Sequence, residues 1–147
     1  MRKAALVLLV AGASLGFTGC KSSTTPPPVD DLIGTWDATK AEFTSVANSS
    51  TKVDIIPQGW TLVLVFNAST FTMTIQEPGQ AAWVGRGTWR ISFDLVTFTW
   101  SSGMNGESQF DFNCIGSQLT LEGGHMPHEF TSGNLEEAIL NLIATKR

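Results

Sequence analysis

Apolar and polar residues alternate with a period of two along most of the chain after residue 31. The clearest stretch is 70–76, where Phe71, Met73 and Ile75 alternate with threonines and a glutamine. Successive side chains of a β-strand point to opposite faces of a sheet, so this alternation predicts strands with one buried face. The pattern recurs in residues 33–43, 83–91, 96–100, 110–114, 119–121 and 138–145, and residues 60–66 are a further predicted strand that is apolar on both faces.

The last of these segments has two interpretations. Glu136 and Glu137 ahead of AILNLIATKR could open a helix, whereas the β-branched residues and the alternation favour a strand. Most connections are short and contain turn-forming residues, which is typical of hairpins. These predicted turns are residues 67–69, 77–80, 92–94, 101–107 and 115–117. Two longer connections are predicted at residues 44–59 and 123–134.

This arrangement predicts an all-β fold with about eight sequential strands. Short connections make strands that are neighbours in sequence into antiparallel neighbours in space. Eight such strands with one apolar face close into an eight-stranded antiparallel up-and-down β-barrel, because closure removes both exposed sheet edges. A two-sheet sandwich is the alternative, although it usually needs longer crossover connections than this chain offers.

The N-terminus has the features of a secretory signal. Arg2 and Lys3 precede an uncharged run at 4–17 of roughly 14 residues, which is shorter than the ~20 that a membrane-spanning helix needs. Phe17-Thr18-Gly19-Cys20 resembles the bacterial lipobox. The resemblance implies that residues 1–19 are a signal peptide and that Cys20 is lipidated after cleavage. The alternative is an ordinary secreted protein with a free Cys20.

Residues 20–30 are predicted to be the lipidated cysteine and a tether. The sequence KSSTTPPPVD is polar and then proline-rich, and as polyproline II it would span about 30 Å. The domain proper is predicted to be residues 31–147. Lys21 is not the aspartate that retains some lipoproteins at the inner membrane. We therefore expect a lipid-anchored protein of the bacterial cell envelope. In a bacterium with two membranes, we expect it at the outer membrane.

Charge narrows the choice of partners. The chain has 9 basic and 13 acidic side chains, and the signal peptide accounts for Arg2 and Lys3 among the basic ones. An acidic domain offers no electrostatic basis for binding nucleic acid and would be weakly repelled by anionic lipid. Membrane attachment is therefore expected to depend on the lipid at Cys20.

The second cysteine, Cys114, has no partner once Cys20 carries lipid. No intrachain disulfide is then expected, even in an oxidising compartment. Cys114 alternates with Phe110 and Phe112, so we predict a buried and inert thiol. A reactive cysteine would need a neighbouring base and positive surroundings, and the sequence indicates neither.

Three segments in order resemble one superfamily. Leu32-Ile33-Gly34-Thr35-Trp36 resembles the Gly-x-Trp opening of lipocalins, Gly87-Thr88-Trp89 repeats it, and a final EEAILNLI strand ends in Lys146-Arg147. Residues 31–147 therefore resemble the lipocalin-like lipoproteins of bacteria. The resemblance implies a structural latch at the closed end of the barrel, in which Gly34 and Trp36 belong to the motif and Arg147, or Lys146, packs across the indole ring.

The lipocalin resemblance also implies a function, which is binding of a small hydrophobic or amphipathic molecule inside the barrel. Residues 44–59 would form a lid over the mouth. The chain is shorter than a full lipocalin and lacks the usual disulfide and C-terminal helix, which argues against a roomy cavity. The alternative is a solid-core lipoprotein that is structural or binds an envelope protein. The predicted lining residues are Leu64, Phe66, Phe71, Met73, Trp83, Phe98, Trp100, Phe110 and Phe112.

Candidate chemistry is sparse. His125 and His128 suggest a metal site, but two ligands among Gly123, Gly124 and Pro127 predict solvated loop histidines and no metal. No nucleophile elbow, phosphate loop or HExxH motif is present. The adjacent residues 136 and 137 would point to opposite faces of a strand. We therefore expect no enzymatic activity and no cofactor.

Overall fold

The computed structural model describes residues 29–147. The predicted signal peptide at 1–19, the predicted lipidation site Cys20 and the predicted tether as far as residue 28 lie outside the described residues. The elements are α1 (Val29–Leu32), β1 (Gly34–Ser45), β2 (Lys52–Asp54), a short 3-10 helix η1 (Ile56–Gln58), β3 (Thr61–Phe66), β4 (Thr70–Gln76), β5 (Trp83–Ser92), β6 (Leu95–Ser102), β7 (Glu107–Ile115), β8 (Gln118–Thr131) and β9 (Asn134–Lys146).

The strands form a closed antiparallel barrel of eight strands, which confirms the predicted fold. The pairing order is β1-β3-β4-β5-β6-β7-β8-β9, and β9 pairs again with β1 to close the sheet. The short β2 pairs with the far half of β1, outside this sequence of hairpins. The ambiguous final segment is a strand, β9, and its pairing with β1 completes the barrel.

Inward-facing apolar side chains from every barrel strand make one continuous core. Alternation along each strand places these side chains inside and leaves threonine and charged residues outside. The largest fully buried side chains are Trp36, Phe43, Phe66, Phe71, Phe98 and Phe110. This aromatic content is what allows a barrel of short strands to be filled by its own side chains.

Two strands contain bulges that shift which residues face inward. In β1 the register shifts between Ala38 and Lys40, and the buried positions move from Trp36 to Ala41 and Phe43. In β8 it shifts between Leu121 and Gly124. A bulge inserts one unpaired residue and bends its strand. Strict period-two reading therefore assigns the wrong face beyond each bulge.

The prediction of a long connection at 123–134 is wrong, because β8 continues through most of this segment to Thr131. Gly123 has a φ of +83° within the bulge, a backbone conformation that favours glycine. Gly124 faces inward, and a Cβ there would overlap the ring of Phe110. Both glycines are therefore strand residues that permit a bulge and a close ring contact, not loop residues.

Pro127 is tolerated in β8 because one edge of that strand is unpaired at this point. Pro127 pairs with Glu137 of β9, whereas β7 pairs with β8 only as far as Glu122. The carbonyl of His125 points toward β7, where it accepts a hydrogen bond from Ser108. By alternation the nitrogen of Pro127 lies on the same edge, so its missing N–H costs no ladder hydrogen bond.

The predicted connection at 44–59 is more structured than expected. Strand β1 extends to Ser45, and β2 and η1 fold back onto its far half. The Asp54 carboxylate accepts N–H groups of Ala41 (3.0 Å) and Ile56 (3.2 Å). Ile55 is fully buried, and its N–H donates to the carbonyl of Ala41. This segment therefore packs on the barrel as part of its core.

The two ends of the barrel differ in construction. The end that we call the base holds α1, the C-terminus and the turns after β3, β5 and β7. The opposite end, the mouth, holds β2, η1 and the connections after β4, β6 and β8.

In residues 29–147, none of the helices has the length and apolarity needed to cross a membrane.

Candidate binding site at the mouth of the barrel

All nine predicted lining residues point into the barrel. Eight of them are buried, and Trp83 is half-buried near the mouth. Phe71 stacks on Phe98 at 4.3 Å between ring centroids, and Phe98 lies 5.2 Å from Phe110. Side chains therefore fill the middle of the barrel, and the predicted lining residues contact one another.

Glycines on the barrel wall make this close packing possible. A Cβ at Gly87 would meet the backbone of Thr99 and the ring of Phe71. A Cβ at Gly85 would collide with the indoles of Trp83 and Trp100. The aromatic rings thus lie directly against bare backbone. The space beside these glycines, which could have belonged to a ligand cavity, is taken by the rings.

One buried polar chain crosses the wall between β7 and β8. The indole Nε1 of Trp100 donates to Ser108 Oγ at 2.9 Å, and that hydroxyl donates to the carbonyl of His125 at 2.9 Å. Ser108 is almost fully buried. A buried hydroxyl without hydrogen-bond partners would cost stability, and both of these hydrogen bonds satisfy Ser108. The bond to His125 also joins β7 to β8 beyond the point where their backbone pairing stops.

At the mouth, four aromatic side chains form a group that we call the mouth cluster: Phe43, Trp60, His128 and Phe130. The His128 imidazole stacks on Phe43 at 4.2 Å with an interplanar angle of 12°. It meets the edge of Phe130 at 4.8 Å and lies 6.5 Å from Trp60. Phe43 is buried, whereas the other three are half-buried. In the mouth cluster, the buried ring of Phe43 is therefore surrounded by three partly exposed rings.

The electrostatics of the mouth cluster centre on His128. Burial lowers the pKa of the His128 imidazole, and the negative charges of Glu129 and Glu136 oppose this shift. At neutral pH the ring is therefore uncharged, with both a donor and an acceptor nitrogen. Such a ring can accept or donate a hydrogen bond at the edge of an otherwise apolar surface.

A second polar group lies on the same inward face. Ser45 is buried, and its hydroxyl donates to Glu136 Oε2 at 2.9 Å and accepts the N–H of Asn48 at 3.3 Å. His128 pairs with Glu136 across β8 and β9. The mouth thus places a carboxylate beside the aromatic cluster, and together they suit a ligand with apolar and polar parts.

The two histidines do not meet. Both lie in β8 and not in a loop as predicted, three residues apart and therefore on opposite faces. His125 faces outward, where its Nδ1 lies 2.6 Å from Glu137 Oε1. Among residues 29–147, no group of three or more His, Cys, Asp and Glu side chains could hold a metal ion. The adjacent residues 136 and 137 take opposite faces.

At the base, Trp36 is fully buried and its Nε1 donates to the carbonyl of Leu32 at 2.8 Å. Lys146, not Arg147, lies over its ring, with Nζ 5.3 Å from the ring centroid. A Cβ at Gly34 would approach Lys146 Cε to 2.8 Å, and Gly34 has a φ of +140°. The glycine therefore leaves room for the lysine stem that crosses the indole.

Arg147 faces the outside of the barrel instead. Its Nη2 and Nε lie 2.6 and 3.0 Å from the two carboxylate oxygens of Asp37. That hydrogen-bonded pairing raises the pKa of Arg147. The physical reason is strand parity: Leu142 and Ala144 face inward on β9, so the next inward position is Lys146.

Cys114 is half-buried, whereas we predicted a buried thiol. It lies on the inward face near the end of β7, close to the base. Burial raises the pKa of its thiol, and the charge of Asp31 raises it further. The thiol is therefore protonated at neutral pH and a weak nucleophile.

A groove of about 490 Å³ lies on the outside of the barrel where β7 and β8 separate. Glu107, Asp111 and Glu122 border it together with His125. Glu107 is bound by Thr99 (2.9 Å) and Arg90 (3.1 Å), and these contacts lower its pKa. None of the nine predicted lining residues borders this groove. It is a polar surface feature, separate from the apolar interior.

Sequence reasoning missed the mouth cluster, because three of its members, Phe43, His128 and Phe130, lie beyond a bulge. Trp60 begins the predicted strand at 60–66 but precedes β3 in the structure. The signal was present in the alternation of Met126, His128 and Phe130 with more polar residues. The glycine pair ahead of it obscured that pattern.

Comparison with known proteins gives two similar structures. No family model and no curated protein matches the chain. A lipocalin-like protein from Bacteroides uniformis is 16% identical, with a TM-score of 0.49 over 80% of this chain and 99% of its own. An uncharacterized protein from Bacteroides eggerthii is 13% identical, with a TM-score of 0.47 over 79% and 99%. The strand order and closure described above define an eight-stranded antiparallel up-and-down β-barrel.

Proposed function

We propose that the protein is a lipid-anchored lipoprotein of the bacterial cell envelope that binds a small hydrophobic or amphipathic molecule at the mouth of its barrel. The role is one of binding and not of catalysis. The observation that carries the ligand proposal is the mouth cluster, in which Trp60, His128 and Phe130 remain half-buried above a filled interior.

The packing of the interior decides where such a ligand would lie. A ligand deep in the barrel would have to displace stacked rings such as Phe71 and Phe98, and dense interiors resist such rearrangement. At the mouth, by contrast, partly exposed rings lose less packing on contact with a ligand and bury further apolar area. Trp83 is also half-buried near the mouth, where its ring lies 5.9 Å from that of Trp100.

The lipid anchor rests on the N-terminal sequence alone. The charged start, the short apolar run and the Phe17–Cys20 lipobox support cleavage before Cys20 and acylation there. More than one acyl chain is needed for stable attachment, and lipobox processing would supply it. The test is a Cys20→Ala chain, which should leave the membrane fraction. Continued sedimentation with membranes would contradict the anchor.

The second candidate is a solid-core lipoprotein that is structural or binds an envelope protein. The filled interior favours this candidate, because the predicted lining residues contact one another and occupy the space that a ligand would need. The two candidates differ at the mouth: the first requires a small molecule there, and the second requires only a surface.

Native mass spectrometry of the full-length chain, purified from the cells that make it, distinguishes these candidates. We expect a stoichiometric small molecule that is lost from a Trp60→Ala variant. It should be retained by Ile115→Ala, an exposed residue at the base that serves as the matched control. Circular dichroism would establish that both variants are folded. Repeated absence of any bound molecule from the unaltered chain would contradict ligand binding and leave the solid-core candidate.

A further inference from the structure

Two hairpin tips at the base carry large apolar side chains that project into solvent. Phe93, in the turn between β5 and β6, is 82% exposed, and Ile115, at the end of β7, is 70% exposed. Leu95, next to the first of these turns, is also exposed. Antiparallel hairpins alternate between the two ends of a barrel, so both tips lie at the same end.

The backbone at Phe93 is unusual. It is the only non-glycine residue of the described chain with a positive φ, at 57°. Two-residue hairpin turns usually place glycine or asparagine in this left-handed conformation, because a bulky side chain crowds the following carbonyl. An exposed aromatic ring at such a position does nothing for the core, and the local outlier points to a function for the ring.

The chain enters the barrel at this same end. The carbonyl of Asp31 accepts a hydrogen bond from Lys146 Nζ at 2.9 Å, and the carbonyl of Leu32 accepts one from the Trp36 indole. These contacts fix α1 to the base. As an extended tether, residues 20–28 would span about 28 Å. A lipid on Cys20 would therefore attach the barrel to the bilayer through its base.

We propose that the base is a membrane-docking surface, on which Phe93 and Ile115 enter the interfacial layer of the bilayer. This inference rests on the lipid anchor of the proposed function. The anchor supplies attachment, and the two tips set the orientation of the barrel. The mouth then faces the aqueous compartment, where the mouth cluster is open to a dissolved or delivered ligand.

The charges around the tips define the kind of lipid. Asp94 adjoins Phe93, and Asp30 and Asp31 are exposed where the chain enters. Such a surface is repelled by anionic headgroups. We therefore expect docking on zwitterionic phosphatidylcholine vesicles, and weaker insertion of the tips when phosphatidylglycerol is added at low salt.

Site-directed spin labelling of the lipidated full-length chain tests this orientation. Single cysteines replace Phe93, Ile115 or Leu135 in a Cys114→Ala background, and Cys20 is blocked by its lipid. Leu135 is the matched control, since it is 70% exposed like Ile115 but lies at the mouth. On phosphatidylcholine vesicles, the labels at 93 and 115 should become several-fold less accessible to a water-soluble nickel chelate and more accessible to oxygen. The label at 135 should not change.

Vesicle flotation and detection of the lipid on Cys20 are measured separately. A chain that floats while all three labels stay accessible to the chelate would overturn the docking surface and leave the anchor intact. Protection of the label at 135 alone would overturn it by reversing the orientation. A chain that neither floats nor carries lipid would overturn the anchor and the docking together. Protection of 93 and 115 without vesicles would instead indicate a second copy of the chain, and would also overturn the proposal.

A Phe93→Gly variant separates membrane contact from stability. Glycine adopts the left-handed conformation without strain, so the variant should unfold at a higher temperature than the unaltered chain. The label at 115 should at the same time lose much of its protection on vesicles. Unchanged protection at 115 in this variant would show that the ring of Phe93 does not contribute to docking.

Discussion

The base and the mouth of this barrel differ in how each holds a tryptophan side chain. At the base, Trp36 is buried, hydrogen-bonded to Leu32 and covered by Lys146, so both ends of the described chain fix it. At the mouth, the side chains of Trp60 and His128 are half-buried, and their rings lie 6.5 Å apart between centroids. The comparison indicates that the base provides stability and that the mouth keeps apolar surface available for binding.

Truncating one tryptophan at each end should give the largest difference. Trp36→Ala removes a fully buried indole, so we expect it to cost about 3–5 kcal/mol of unfolding free energy. Trp60→Ala removes a half-buried ring and should cost about 1–2 kcal/mol. Urea unfolding followed by circular dichroism measures both. Equal costs would mean that the mouth is as integral to stability as the base.

A methyl group at Gly34 tests how tightly the base is assembled. Gly34→Ala should cost about 1–2 kcal/mol, chiefly because the φ of +140° disfavours alanine, and the new Cβ should also displace the Lys146 stem from the indole. Gly79→Ala at the mouth is the control, since its φ is also positive but nothing lies within 4 Å of the added Cβ. It should cost about 1 kcal/mol. A smaller loss at Gly34 than at Gly79 would contradict the close lysine contact.

The identity of the basic residue over Trp36 is tested by two matched substitutions. Lys146→Met keeps the apolar stem but removes the charge above the indole, and should cost about 0.5–1 kcal/mol. Arg147→Met removes a solvent-exposed pair with Asp37, and its effect on the unfolding temperature should be smaller and should vanish in high salt. The reverse order would restore Arg147 as the latch.

The smallest predicted effect is a pH dependence that arises at the mouth. Burial holds the pKa of His128 below its usual value. As the pH falls below the unfolded-state pKa of about 6.5, the unfolded chain takes up a proton that the folded chain resists, so stability decreases. Above that pH the histidine contributes no pH dependence.

His128→Phe keeps the stack on Phe43 but removes the titrating group. Its unfolding temperature should therefore fall less than that of the unaltered chain when the pH is lowered from 7.5 to about 5.5, just below the reference pKa of histidine. Lys52→Met, an exposed residue near the mouth, is the control and should behave like the unaltered chain. Identical pH profiles for His128→Phe and the unaltered chain would contradict the shift.

The barrel itself could be predicted because its strands keep strict alternation over most of their length. Phe71 and Met73 face inward as the pattern indicates, and short turns force the antiparallel order. The same rule would also have identified Lys146 in place of Arg147 at the base. Its parity follows from the apolar residues before it in β9.

The mouth could not be predicted, because local geometry there departs from the period. The bulges after Ala38 and Leu121 reverse the inward face in β1 and β8. Gly123, Gly124 and Pro127 have the composition of a loop, yet long-range contacts hold them in a strand. Filling of the interior depends on how rings from five strands fit against wall glycines, which no single segment specifies.

Fluorine NMR of the full-length chain labelled with fluorotryptophan tests the central claim most directly. The chain has 5 tryptophans, and all of them lie in the barrel: Trp36 and Trp89 toward the base, Trp60 and Trp83 at the mouth, and Trp100 between. Addition of lauric acid, a small amphipathic probe, should shift the resonances of Trp60 and Trp83 and leave those of Trp36 and Trp89 unchanged. Shifts confined to the base, or no shift at any tryptophan, would contradict a binding site at the mouth.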